Sequence, residues 1–166
     1  MLLYILLVTV KHFALNDQET ARMGIHVRSN EQAIREIYCK PFEIAVKKSG
    51  AKGIMSAFNR LGKTWCGCTP ELLVDLLRNE WGFDGMVITD AYTNLTGYGY
   101  MDPVLAVYAR NNELLCMLWS VRKITLSPSM KPAYKNDPIG FGTALRDCTK
   151  GILKNKMLTK AFLETV

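Results

Sequence analysis

The feature that most restricts the fold of this chain is an alternation. Four times over, an apolar, strand-like run is followed by a polar loop and then by a stretch with apolar residues at helical spacing. Parallel strands joined by crossover helices produce that order. The strands are expected over about residues 2–10, 53–58, 86–89 and 113–118. The helix signals between them are specific. Ser29 with Gln32 reads as a capping box, Ile34, Ile37, Tyr38 and Ala45 mark a buried stripe, Pro41 kinks the helix and Gly50 closes it. Thr69-Pro70 and Asp102-Pro103 each set a capping side chain before a proline at the first helical position. Leu72, Leu73, Leu76 and Leu77 then share one side of a helix, and the helix after Asp102 should run to about Asn111. A loop containing Ser, Pro and Lys leads to Asp137-Pro138, which opens a last helix with Phe141, Leu145, Cys148 and Ile152 on one face.

About eight βα units close a barrel, and this pattern supplies half of them. The expected fold class is therefore α/β, a partial (β/α)8 TIM barrel of about four βα units with parallel strands, forming a single fragment over all 166 residues. The hydrophobic content of 49% is enough for a core. An open half barrel leaves strand edges unpaired, so self-association through those edges is expected.

Folds of this class keep their chemistry at the carboxyl ends of the strands. The residues expected there are loaded: Lys11 and His12, Asn59 and Arg60, Asp90 and Tyr92, and Trp119. The opposite ends offer Gly53, Gly82 and Gly85, which read as turn punctuation. In MVITDAYTN an apolar run ends abruptly in a carboxylate, which places Asp90 at the mouth of the sheet.

Charge and cysteine usage narrow the function classes. The net charge of +6 is spread along the chain, with Lys47-Lys48 as the longest basic run, so no nucleic-acid footprint is formed. Five cysteines without a CxxC pair indicate packed, reduced thiols, and Cys66-Gly67-Cys68 has the wrong spacing for a common metal site. No metal and no cofactor are expected. The opening MLLYILLVTV lacks a basic leader, is followed by Lys11-His12, and is too short to span a bilayer. It reads as a buried strand with no membrane partner, and a cytoplasmic location is favoured. Trp65, Trp81 and Trp119 are candidate stacking platforms for a sugar, Trp81 being better placed for packing. His26 and Arg28 read as surface residues.

The segments KHFALNDQETAR, SNEQAIREIYCKPFEIAV, GIMSAFNRLG, LLRNEWGFDGMVITD and DPIGFGTALRDCTKGIL resemble, in this order, the second half of the barrel domain of family 3 glycoside hydrolases, the β-glucosidase group. The resemblance covers about residues 5–154, and EWGFDGMVITD is its most specific part. It implies that Asp90 is the catalytic nucleophile, that Lys11, His12 and Arg22 grip the bound sugar, and that Phe58 stands where many members have a tyrosine beside the nucleophile. A β-linked glucoside or oligosaccharide is the implied substrate. A retaining glycosidase needs a second, protonated carboxyl about 5 to 5.5 Å from the nucleophile, and the resemblance implies that a following domain carries it. Two departures stand out. Ala91 replaces a tryptophan common after the nucleophile, and Arg110 in Ala109-Arg110-Asn111-Asn112 replaces a small residue, often glycine. Two function readings follow: a β-glucosidase-type hydrolase that is incomplete in this chain, or an inactive fragment with weak sugar binding at most.

Overall fold

The computed structural model describes residues 7–92, 99–115 and 127–159. Its centre is a parallel sheet of three strands in the order β1-β3-β6, where β1 is Thr9–Phe13, β3 is Gly53–Ser56 and β6 is Met86–Thr89. A short second sheet joins β2 (His26–Val27), β4 (Arg60–Leu61) and β5 (Thr64–Trp65). The α/β class and the parallel connections expected from the alternation hold. The fourth segment adds one parallel bridge, Ile88 to Glu113, and the rest of its expected strand lies largely outside the described residues.

Strand parity sorts the two faces of the sheet. Ile54, Ser56, Val87 and Thr89 are fully buried, whereas Met55, Met86 and Ile88 on the opposite face are half-buried. The buried face packs on Phe42 and Val46, on Leu72, Leu73, Leu76 and Leu77, and on Trp81 and Phe83. The leucine side of the helix Glu71–Glu80 is thus the one expected, and Trp81 is the packing residue expected. The helix itself is wound wide, with bonds such as Trp81 N to Leu76 O at 3.1 Å.

Several local expectations shift, each for a visible reason. The first described strand runs through Lys11, His12 and Phe13 instead of ending at Val10; residues 1–6 lie outside the description. Asn30, not Ser29, caps the next helix by accepting from Ala33 N at 2.8 Å, and Gln32 bonds Glu36. That helix breaks at Cys39, and Pro41 starts the segment Lys40–Lys47 rather than kinking a continuous helix. Its buried side is Cys39, Phe42 and Val46, while Ile37 is exposed. The Thr69 hydroxyl donates to Trp65 O instead of capping, although Thr69 O still accepts from Leu73 N. The loop expected before Asp137 is a helix, Ser127–Asn136, containing Pro132. Among the described residues no helix is long and apolar enough to cross a membrane.

Asp102 performs as expected, accepting from Val104 N at 2.8 Å and Leu105 N at 3.0 Å, and the helix Pro103–Tyr108 ends earlier than the pattern suggested. Replacing this doubly bonded cap, Asp102→Ala, should cost about 1 kcal/mol, read as a lower urea midpoint with unchanged slope. The early helix stop is set by Arg110, whose φ of 57° lies in the left-handed region. A glycine is at ease there and an arginine is not. Asn111 and Asn112 then tie the fold together. Asn111 Nδ2 donates to Ser56 Oγ and Gly67 O, while Asn112 Oδ1 accepts from Val87 N and from the half-buried Arg78. Gly85 lies so close to the Lys52 carbonyl that any Cβ would collide with backbone.

Candidate active site

Asp90 follows β6 on the parity of Met86 and Ile88, so it leaves the sheet at the carboxyl rim on the half-covered face. Its backbone is still held in register, with Asp90 N donating to Ser56 O at 3.2 Å. Its Oδ1 accepts from Ala91 N at 2.7 Å, which fixes the carboxylate plane. On the neighbouring side β1 carries an irregularity: Val10 pairs with Ile54 and Phe13 with Ser56, so Lys11 and His12 together face the single residue Met55. Such a bulge re-aims side chains near a rim. The Lys11–His12 peptide is cis.

The result is a cluster around one oxygen. His12 Nε2 is 3.2 Å from Asp90 Oδ2, and an Arg22 guanidinium nitrogen is 4.0 Å from the same atom. Oδ2 is buried yet accepts no hydrogen bond among the described residues; the His12 approach is close but lacks in-line geometry. Arg22 comes from the loop after β1, where it pairs with Glu19 at 2.8 Å and lies over the Phe58 ring at 4.4 Å. Lys11 stands exposed beside His12. The structure therefore brings His12, Arg22 and Asp90 into direct proximity.

Other residues expected at the rim serve the scaffold. Phe58 is 3% exposed, so it offers a ligand almost no surface and instead supports Arg22. Asn59 is buried and donates to Ala14 O, and Arg60 stacks on Tyr100. Tyr92 is fully buried, its backbone N–H on Leu115 O. Trp65 is no sugar platform: it is buried, with Nε1 donating to Ala57 O at 2.8 Å. Trp119 lies outside the described residues. Glu19 is the site residue the sequence reading passed over; its signal was the spacing of three to Arg22 in a loop already tied to the KHF segment.

Burial is the largest influence on His12 and holds its pKa below the ordinary 6.5; Asp90 opposes this, Lys11 and Arg22 reinforce it, and Glu19 opposes it weakly. The unfolded chain thus binds a proton between the depressed native value and 6.5 that the folded chain does not. Folding stability should fall as pH drops through that window and level off below it. Urea unfolding across pH 5 to 8 in the wild type and His12→Gln checks this; the variant should lose that part of the slope. Cys39, Cys66, Cys68 and Cys148 are free and buried thiols, and burial pushes Cys66 up to about 12.

The geometry defines a class: an α/β domain whose parallel sheet sets an aspartate oxygen, flanked by a histidine and an arginine, at its carboxyl rim. Comparison with known proteins gives the family. The model of the glycosyl hydrolase family 3 N-terminal domain matches residues 5–106, and the chain belongs to that family. It is 48% identical over 82 residues to a β-glucosidase of Rhizobium radiobacter, covering 49% of this chain and 10% of that protein. It is 43% identical over 91 residues to a β-glucosidase of Ruminococcus albus, covering 55% and 10%. The solved β-glucosidase 3B of Thermotoga neapolitana in complex with glucose superposes with a TM-score of 0.81 at 33% identity, over 94% of this chain and 21% of that one. The chain thus spans about a tenth of the length of these curated relatives.

Proposed function

We propose that this chain carries the nucleophile-bearing segment of a retaining β-glucosidase. Asp90 Oδ2 attacks the anomeric carbon of a β-glucoside, and the bond to the leaving oxygen breaks with its electron pair going to that oxygen. Water then attacks the glycosyl ester, and the sugar leaves with its configuration retained. The observation that carries this reading is the state of Oδ2: it is withdrawn from solvent, makes no hydrogen bond among the described residues, and is flanked by His12 and Arg22. Lys11, His12 and Arg22 are the donors for sugar hydroxyls, with Phe58 as the floor under Arg22.

Retention also requires a general acid. Glu19, the other carboxylate beside the cluster, is largely exposed and engaged with Arg22 and Asn16. We assign the proton donor to a segment outside this chain. An aryl glucoside with a dinitrophenolate leaving group departs without protonation and so tests the nucleophile by itself. One equivalent of dinitrophenolate released rapidly per chain, followed by slow turnover, is the expected result. No release above the buffer rate would leave the chain as a sugar-binding fragment at most.

Among the described residues β1 pairs on one side only, with β3, and Val8 beside it is 63% exposed. Association through that edge is expected. Sedimentation velocity over a concentration series should show the average mass rising, and a charged substitution, Val8→Lys, should suppress the rise.

A further inference from the structure

Arg22 lies between two carboxylates and makes a close ion pair with only one of them. Its terminal nitrogen is 2.8 Å from Glu19 Oε2 and 4.0 Å from Asp90 Oδ2. A guanidinium in full contact with a carboxylate sits at about 2.7 to 2.9 Å, so the pairing is made with Glu19 and withheld from Asp90. Two further contacts fix it there. Asn16 Nδ2 donates to Glu19 Oε1 at 3.2 Å, and the Arg22 Cζ sits 4.4 Å from the centre of the Phe58 ring. An exposed Glu–Arg pair holds little by itself, but here the carboxylate is anchored by Asn16 and the guanidinium plane by Phe58.

We infer that Glu19 is a positioning residue: with Asn16 and Phe58 it parks Arg22 within Coulombic reach of Asp90 but short of bonding it, which leaves the Asp90 Oδ2 lone pairs unengaged by the guanidinium. This rests on the reading of Asp90 as nucleophile. A direct Arg22–Asp90 hydrogen bond would occupy the lone pair that must form the bond to carbon. At 4.0 Å the cation still favours the anion, and it keeps donors available for a sugar hydroxyl. Release from Glu19 would let Arg22 close on Asp90.

The test needs no sugar, so its failure is separable from failure of the glucosidase reading. His12 reports on the cluster, since the charged groups facing it are Asp90, Lys11, Arg22 and Glu19. The chain has two histidines, and the exposed His26 serves as internal reference. Proton NMR titration of the His12 ring is followed in the wild type, Glu19→Gln, Arg22→Ala and the double variant. Glu19→Gln should lower the His12 midpoint by roughly a few tenths of a unit, through loss of an anion and closer approach of Arg22. In the Arg22→Ala background the same change should shift it clearly less. Equal shifts in both backgrounds, no shift, or an upward shift would overturn the assignment. Glu19→Asp, which keeps the charge on a shorter arm, guards against a general loss of fold and should restore part of the wild-type midpoint.

Discussion

Asp90→Ala should abolish the burst of dinitrophenolate, bringing release down to the buffer rate, with the chain still folded. Among the described residues Asp90 is the one acidic side chain with a buried oxygen that accepts no hydrogen bond, so no neighbouring carboxyl there substitutes for it as a nucleophile. The same variant carries a second signature. Asp90 is the strongest influence raising the His12 pKa, and its removal should move the His12 titration midpoint further below the ordinary 6.5. Loss of the burst without movement of His12 would mean that the two side chains are not neighbours in solution. His12→Ala, by contrast, should leave a burst that saturates only at higher glucoside concentration, since it removes a hydroxyl ligand and not the attacking atom.

Trp65→Ala is the substitution expected to damage the fold most. The side chain is 2% exposed, packs beside Tyr92, carries Gly67 against its ring, and donates from Nε1 to Ala57 O. Truncating a buried tryptophan costs about 3 to 5 kcal/mol, a large share of the roughly 5 to 15 kcal/mol that hold a domain together. Urea unfolding should show the midpoint collapsing toward zero denaturant. The consequence reaches the rim, because Ala57 precedes Phe58 and Phe58 is the surface on which Arg22 rests. A Trp65→Phe variant keeps most of the volume and loses the Nε1 bond, and should fall between the two.

The layered order of strand and helix was legible in this sequence because burial imposes it. Val87 and the four leucines of Glu71–Glu80 are apolar and face the core, and Asp102 and Asp137 cap because their side chains reach free N–H groups at helix starts. What escaped was set by contacts distant in the chain. Asn30 takes the cap from Ser29, although both are residue types suited to it. The Thr69 hydroxyl turns to Trp65 O, and the Ser127–Asn136 helix, which contains Pro132, sets Met130 and Ala133 against the cluster around Phe141. At the site, Asp90, His12 and Arg22 were legible from the KHF and VITD segments. The scaffold duties of Asn59, Arg60, Tyr92 and Trp65 were not, since polar or aromatic character at a strand end does not tell whether a side chain points to the rim or into the packing beneath it. Glu19 escaped for a related reason: its importance lies in which of two carboxylates Arg22 bonds, and only coordinates reveal that.

The most direct measurement is covalent trapping. A fluorinated glucosyl donor with a good leaving group forms the glycosyl ester and hydrolyses from it slowly, so the adduct accumulates and can be located by peptide mass spectrometry. The account predicts one adduct per chain, on the peptide spanning MVITD, at Asp90. An adduct on Glu19 or on any other carboxylate, with Asp90 unmodified, would contradict it.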